Sequence, residues 1–381
     1  MRREDFPSLA SGAAYFDGPG GTQVPAVVIE AMARYFREAN ANTHGAFPTS
    51  HATDEMILAA RQAVSDLLGA EGPQTVAFGA NMTTLCYMLA FALGRSLRPG
   101  DEVVACEVNH EANIAPWEAL GCCRLVPLRN FTVPVEDLHL TSKTRVVAAT
   151  WASNATGAVA DVAAICKAAH DVGAIAVVDA VHYVPHFPVH VQAIGCDFLL
   201  TSAYKWFGPH VGALYGRPSA WEALDPYRLQ PQGDVAPEKF ETGTLNHEGL
   251  AGVIAAVDWI ASLAPEGAPR RVRLRTAMQA IAAHEEALAD QLRSGLADLQ
   301  VQAFIPQGPR TPTVSFLPST RTPAEVAAAL GRRNLFVWDG DFFATRCVRA
   351  IGSESLVRVG FAPYNTAEEV DRLLEALAEI L

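Results

Sequence analysis

No stretch of this 381-residue chain approaches the ~18 uninterrupted apolar residues of a membrane-spanning helix, and no basic tract is longer than Arg270-Arg271. With a formal net charge of −12, that shortage of basic runs argues against nucleic acid or an anionic membrane surface as a partner. It says nothing about a small anionic cofactor, which responds only to the local field. Cysteine is sparse and unpatterned. The seven are Cys86, Cys106, Cys122, Cys123, Cys166, Cys196 and Cys347; their odd number, the lack of Cys-x-x-Cys and their placement in apolar runs indicate reduced core thiols of a cytoplasmic protein. Met1-Arg2-Arg3-Glu4-Asp5 is charged and no apolar region follows it, so no signal peptide is expected. Internal repeats, low-complexity tracts and a P-loop are also missing.

Half of the residues are apolar, enough to bury a full core in a large domain plus a smaller one. Short apolar runs recur at 75–78, 102–106, 124–128, 145–149, 174–178, 198–200 and 211–215. Most are separated by segments long enough for a crossover helix, such as the stripe Val162, Ile165, Cys166 and Ala169. Several do not alternate polar with apolar, as expected of strands covered on both faces. The fold class is therefore read as α/β, with a mostly parallel sheet in the large domain.

Near residue 256 the texture changes. Residues 272–292 carry Leu274, Met278, Ile281, Leu288 and Leu292 at helical spacing. Thr322-Pro323-Ala324-Glu325 and Thr366-Ala367-Glu368-Glu369 are capping boxes. Strand candidates at 301–304, 313–316 and 356–359 lie between these helices. The expected organisation is a large domain over 20–255 and a small α+β domain over 256–381, with 1–19 packed against the latter. After Pro25, residues 26–38 predict an amphipathic helix, followed by a polar loop over 40–45.

Lys205 lies in Thr201-Ser202-Ala203-Tyr204-Lys205-Trp206-Phe207-Gly208-Pro209, just past an apolar run. Desolvation there favours the neutral amine that attacks an aldehyde. Asp179 ends the run 174–178 and stands close to Lys205 if the two strands are neighbours. A carboxylate to keep a pyridine nitrogen protonated and an amine to anchor an aldehyde are two requirements of pyridoxal phosphate.

Other residues extend that reading. Phe78-Gly79-Ala80-Asn81-Met82-Thr83-Thr84 offers a helix N-terminus for a phosphate, with Thr83, Met82 and Asn81 as donors, or is an ordinary strand-to-helix turn. Ser202 and Tyr204 add hydroxyls. His110 either stacks on a pyridine ring and moves a proton or caps the next helix. Asn154 is a candidate donor to the cofactor's phenolic oxygen or to a substrate carboxylate, and His182 a candidate for a similar contact. Arg358, a cation in an apolar run, needs an anion: a substrate carboxylate or a structural salt bridge. The spacing of His182, His186 and His190 suggests zinc, but Pro185 and Pro188 break the helix that would align them, so no metal is expected.

Taken together, Asn40-Ala41-Asn42-Thr43-His44, Asn109-His110-Glu111-Ala112-Asn113, Ser153-Asn154, Val178-Asp179-Ala180-Val181-His182, Ser202-Ala203-Tyr204-Lys205, Glu241-Thr242-Gly243-Thr244 and Tyr364-Asn365-Thr366 resemble the fold-type I, class V aminotransferases, most closely their cysteine-desulfurase-like branch. The resemblance spans essentially the whole chain. It implies a pyridoxal-phosphate enzyme with the cofactor attached covalently to Lys205, Asp179 at the pyridine nitrogen, His110 stacked on the ring, and Arg358 with Asn154 and Asn42 for the substrate. It also implies a homodimer in which Thr244 reaches the partner's phosphate. Desulfurases commonly carry glutamine where His182 stands and histidine where Tyr204 stands. Their mobile loop carries a sulfur-accepting cysteine; here the corresponding stretch, Asp339-Gly340-Asp341-Phe342-Phe343-Ala344, has none, and Cys347 follows it. The expected activity is desulfurase-like or carbon–sulfur β-lyase chemistry on a small L-amino acid. Amino transfer to a keto acid and a catalytically silent binding protein are the alternatives.

Overall fold

The computed structural model describes residues 2–381. Seven strands form the large sheet: β1 (Val76–Gly79), β2 (Glu102–Cys106), β3 (Cys123–Val126), β4 (Thr144–Thr150), β5 (Ile175–Asp179), β6 (Phe198–Ser202) and β7 (Gly212–Gly216). Their spatial order is β1-β7-β6-β5-β4-β2-β3. The strands from β6 through β3 are parallel to their neighbours, and β7 alone runs antiparallel to both β6 and β1. The reversal follows from connection length: the segment between β6 and β7 is too short for a crossover, which takes a dozen or more residues, and closes instead as a hairpin. Lys205 sits in that hairpin.

Buried clusters cover both faces of the sheet, which explains the unalternating apolar runs. On one side lie α1 (Ala26–Glu38), α2 (Pro48–Leu68) and α3 (His247–Ala261), packed together. Helix α3 passes residue 256 without a break, so the change of texture falls inside an element that packs on the large domain. The 29-residue helix α4 (Arg270–Asp298) follows, burying Leu274, Met278, Ile281, Leu288 and Leu292.

A second, antiparallel sheet is built from residues 338–340, 356–360, 313–317 and 302–304, in that order, over its own apolar core. Both capping boxes form, at Thr322 with Glu325 and at Thr366 with Glu369. Residues 14–15 pair in parallel with 335–336, and Arg3 bridges to Glu369 at 2.7 Å, tying the N-terminal segment to the small sheet's side. Among the described residues no helix is long and apolar enough to cross a membrane.

Candidate active site

The hairpin that carries Lys205 is pinned at its base. Ala203 N–H donates to the Val211 carbonyl at 2.8 Å, and Gly208 N–H and Trp206 N–H both return to the Ala203 carbonyl at 2.9 Å. Its outer side is clamped to the N-terminal segment: Thr22 N–H donates to the Tyr204 carbonyl and Phe207 N–H to Thr22 Oγ1, each at 2.9 Å. Lys205 Nζ therefore turns inward and donates to the carbonyls of Pro19 and, at 2.9 Å, Gly20. Burial, with Arg358 nearby, lowers its pKa to about 7, against the pull of Asp17 and Asp179.

Asp179 ends β5, the strand hydrogen-bonded to β6, and lines the same pocket as Lys205. It is buried; its Oδ1 accepts Val181 N–H at 3.0 Å, and its other oxygen accepts nothing from the described residues. Burial raises its pKa to about 6, opposed by the Val181 N–H and Lys205. A buried carboxylate with an unused oxygen calls for a donor.

Beside this pair the helix Met82–Gly94 begins, capped by Asn81, whose Oδ1 accepts Thr84 N–H at 2.9 Å. It can come so close because residue 212 is glycine: a Cβ there would lie 2.5 Å from the Asn81 backbone. Met82 N–H already donates to Ser202 Oγ at 2.9 Å, which locks the helix start to the end of β6. Thr83 remains exposed and faces the pocket. His110 caps the next helix, its Nδ1 accepting Ala112 N–H at 3.0 Å, and its ring lines the pocket. Burial first, then Lys205 and Arg358, lower its pKa to about 4, so it is neutral near pH 7. His182 also lines the pocket, bonded to Thr313 Oγ1 at 2.9 Å and Thr311 Oγ1 at 3.1 Å, and burial holds it well below the usual imidazole range. Behind it stand His186 and the fully buried Glu285, 2.8 Å apart, while His190 lies outside this group at a short helix start.

A wider cleft opens outward from the inner pocket, sharing Lys205, Tyr204, His110, Asn154 and Thr83 with it. Arg358 is buried at its wall, with Nη2 donating to Asp17 Oδ1 at 2.8 Å and Nη1 to the Asn154 carbonyl at 3.1 Å. Asn154 Nδ2 donates to the Phe342 carbonyl at 2.8 Å. Phe343 stacks on His110 with centroids 5.6 Å apart. Cys347 is not on this loop; it lies fully buried in the helix Thr345–Ala350, its thiol pushed up to about 11 by burial.

Asn42 and Thr244 are not brought to this pocket within one chain. Both are exposed and border a separate depression with Arg61, Gln232 and Glu241. Sequence reasoning missed Asp17 and the carbonyls of Pro19 and Gly20, although an acidic residue opening Asp17-Gly18-Pro19-Gly20-Gly21 is the kind of turn signal that marks a bent, ligand-facing segment.

The donor set fits pyridoxal 5′-phosphate. A buried carboxylate with a free oxygen, an amine biased toward its neutral form, a flat imidazole and a helix N-terminus surround one pocket. At 31% identity over 99% of this chain, "Probable cysteine desulfurase 1" of Mycobacterium leprae is similar to it, as is "Probable cysteine desulfurase" of Vibrio cholerae at 29% over 98%. The chain spans 96% of the Vibrio protein but 64% of the M. leprae one, and likewise 57% and 63% of relatives from Mycolicibacterium paratuberculosis and Synechococcus elongatus. Among solved structures, the apo cysteine desulfurase of Thermococcus onnurineus NA1 superposes with a TM-score of 0.89 at 28% identity, covering 99% of this chain and 96% of that one. The sequence model of the family "Aminotransferase class-V" matches residues 14–373, and the chain belongs to that family, in its cysteine-desulfurase-like branch.

Proposed function

We propose that this chain is a pyridoxal-phosphate-dependent carbon–sulfur β-lyase acting on an L-amino acid that carries sulfur at Cβ. The observation that carries the reading is the pairing of a complete Lys205–Asp179 pocket with a loop over 339–344 that holds no thiol, the nearest cysteine being sealed in a helix. When bound, the cofactor supplies an electron sink for charge developing at the substrate Cα. Lys205 would hold the cofactor's aldehyde end and would take the Cα proton, a task suited to an amine titrating near neutrality. Asp179 would keep the pyridine nitrogen protonated, His110 would cover the ring, and Asn154 and His182 would serve the phenolic oxygen. Thr83, Ser202 and Tyr204 would form the phosphate end, with Met82, whose N–H is committed to Ser202 Oγ, positioning Ser202 there, and Arg358 with Asn154 would hold the substrate carboxylate.

Amino transfer to a keto acid is the second reading, supported by the family itself. Incubating holoenzyme with a panel of L-amino acids, L-cysteine and cysteine conjugates among them, separates the two. Repeated keto-acid release with the starting spectrum regenerated supports the lyase; stoichiometric conversion to pyridoxamine phosphate without an acceptor overturns it.

The reading includes a homodimer in a reducing, cytoplasmic compartment. Support comes from the exposed Tyr227, Leu229 and Val235, and from the seven free cysteines. In such a dimer Asn42 and Thr244 reach the partner's substrate and phosphate, which accounts for their distance from their own Lys205 pocket.

A further inference from the structure

The outer cleft is larger and more aromatic than a cysteine side chain requires. Beyond the residues it shares with the inner pocket, its wall carries Tyr87, Trp338, Phe342 and Phe343, and the small Ala115 joins the shared Ala112 in leaving room between them. Phe343 is 71% exposed and Trp338 56%, an unusual concentration of open aromatic surface at a pocket mouth.

The turn that presents Phe342 and Phe343 is held in place. Glu111 N–H donates to the Phe343 carbonyl at 2.7 Å, Asn154 Nδ2 to the Phe342 carbonyl at 2.8 Å, and Thr345 Oγ1 to Asp341 Oδ2 at 2.6 Å. The Arg358 guanidinium lies 4.4 Å from the Phe342 ring centroid. Phe342 and Phe343 both take positive φ, 58° and 55°, a strained turn that these bonds maintain. A ring presented by a fastened backbone loses little freedom when a ligand stacks on it.

No cysteine lines either part of the cleft. Sulfur expelled from Cβ must therefore leave as a free thiol. His110, neutral near pH 7, offers no ready proton to it. Departure then favours a sulfur that is stable as thiolate, and an aromatic thiolate leaves more readily than an alkyl one.

Resting on the β-lyase reading, we propose that the outer cleft is a leaving-group subsite for S-aryl conjugates of L-cysteine, with Phe343 and Trp338 as specificity-determining residues. The Cα proton passes to Lys205 as the Cβ–S bond breaks with its electron pair going to sulfur. One water is consumed overall, and the products are the aryl thiol, pyruvate and ammonium.

The test compares L-cysteine, S-methyl-L-cysteine and S-phenyl-L-cysteine on the holoenzyme, following thiol and pyruvate together. The expected kcat/KM for the phenyl conjugate exceeds that of the methyl one by about tenfold or more, as stacking on aromatic rings allows. Phe343→Ala narrows that ratio at least about fivefold, mainly through KM. S-phenyl-L-cysteine also quenches the fluorescence of Trp338, the exposed member of the six tryptophans, and the quenching disappears in Trp338→Phe. Equal kcat/KM values with pyruvate still released, or a ratio untouched by Phe343→Ala, overturn the subsite and leave the lyase reading standing. Pyridoxamine phosphate formation with no thiol from any of the three overturns that reading and the subsite with it.

Discussion

Arg358 and Asp17, 341 residues apart in sequence, meet at 2.8 Å, both buried, with the Asn154 carbonyl on the arginine's other terminal nitrogen. One guanidinium thus joins the N-terminal segment, the second sheet and the large domain beside Lys205. A substrate carboxylate must share this fork with Asp17. Arg358→Lys, which cannot span both partners, is expected to raise KM about tenfold while lowering kcat much less. Steady-state kinetics on one substrate decide it; an unchanged KM removes Arg358 from carboxylate binding.

Lys205 titrates near 7 because its burial outweighs the two carboxylates around it. A depressed amine is protonated below that pH and neutral above it. Covalent capture of added pyridoxal phosphate by the cofactor-free chain is therefore expected to accelerate through pH 7 and level off about two units below the ~10.4 of an ordinary lysine. Borohydride trapping followed by peptide mapping is expected to label Lys205 among the four lysines of the chain. A rate still climbing at pH 10 would contradict the depressed pKa.

Glu241, in the string that suggested cofactor contact, has a structural task as well. Both its oxygens grip Arg61, at 2.8 and 2.7 Å, and Oε1 also accepts Phe78 N–H at 2.7 Å, all in the interior. Removing Glu241 leaves the buried Arg61 guanidinium only the Val76 carbonyl and a long 3.5 Å contact to the exposed Glu238, so Glu241→Ala is expected to cost about 3 kcal/mol. A urea titration measures this; a loss below about 1 kcal/mol contradicts a buried pair.

Cys347 is sealed from solvent with its thiol pushed up to about 11. Alkylation of the folded holoenzyme is expected to leave it unmodified. Cys347→Ser is expected to retain keto-acid release. Abolished turnover in a variant that still folds and binds cofactor would return a thiol to the mechanism.

Local pattern was enough for the sheet and for bringing Asp179 and Lys205 to one pocket. The seven apolar runs, their spacing and the residues at their ends depend on which face of each strand is buried, a property written within a few neighbouring positions. Asp179 and Lys205 are legible for the same reason: each stands just past such a run, and the parallel β5–β6 pairing carries both to one edge.

Only the tertiary structure decided which donors were already used. It turned β7 antiparallel and folded Lys205 into a hairpin, gave Arg358 to Asp17, buried Cys347, fastened Phe342 and Phe343 over the cleft, and set Asn42 and Thr244 apart. Residue spacing carries no record of these outcomes. Each is a contact between distant segments, fixed when the packed interior forces a buried charge, amide or thiol to find whatever partner the fold brings near.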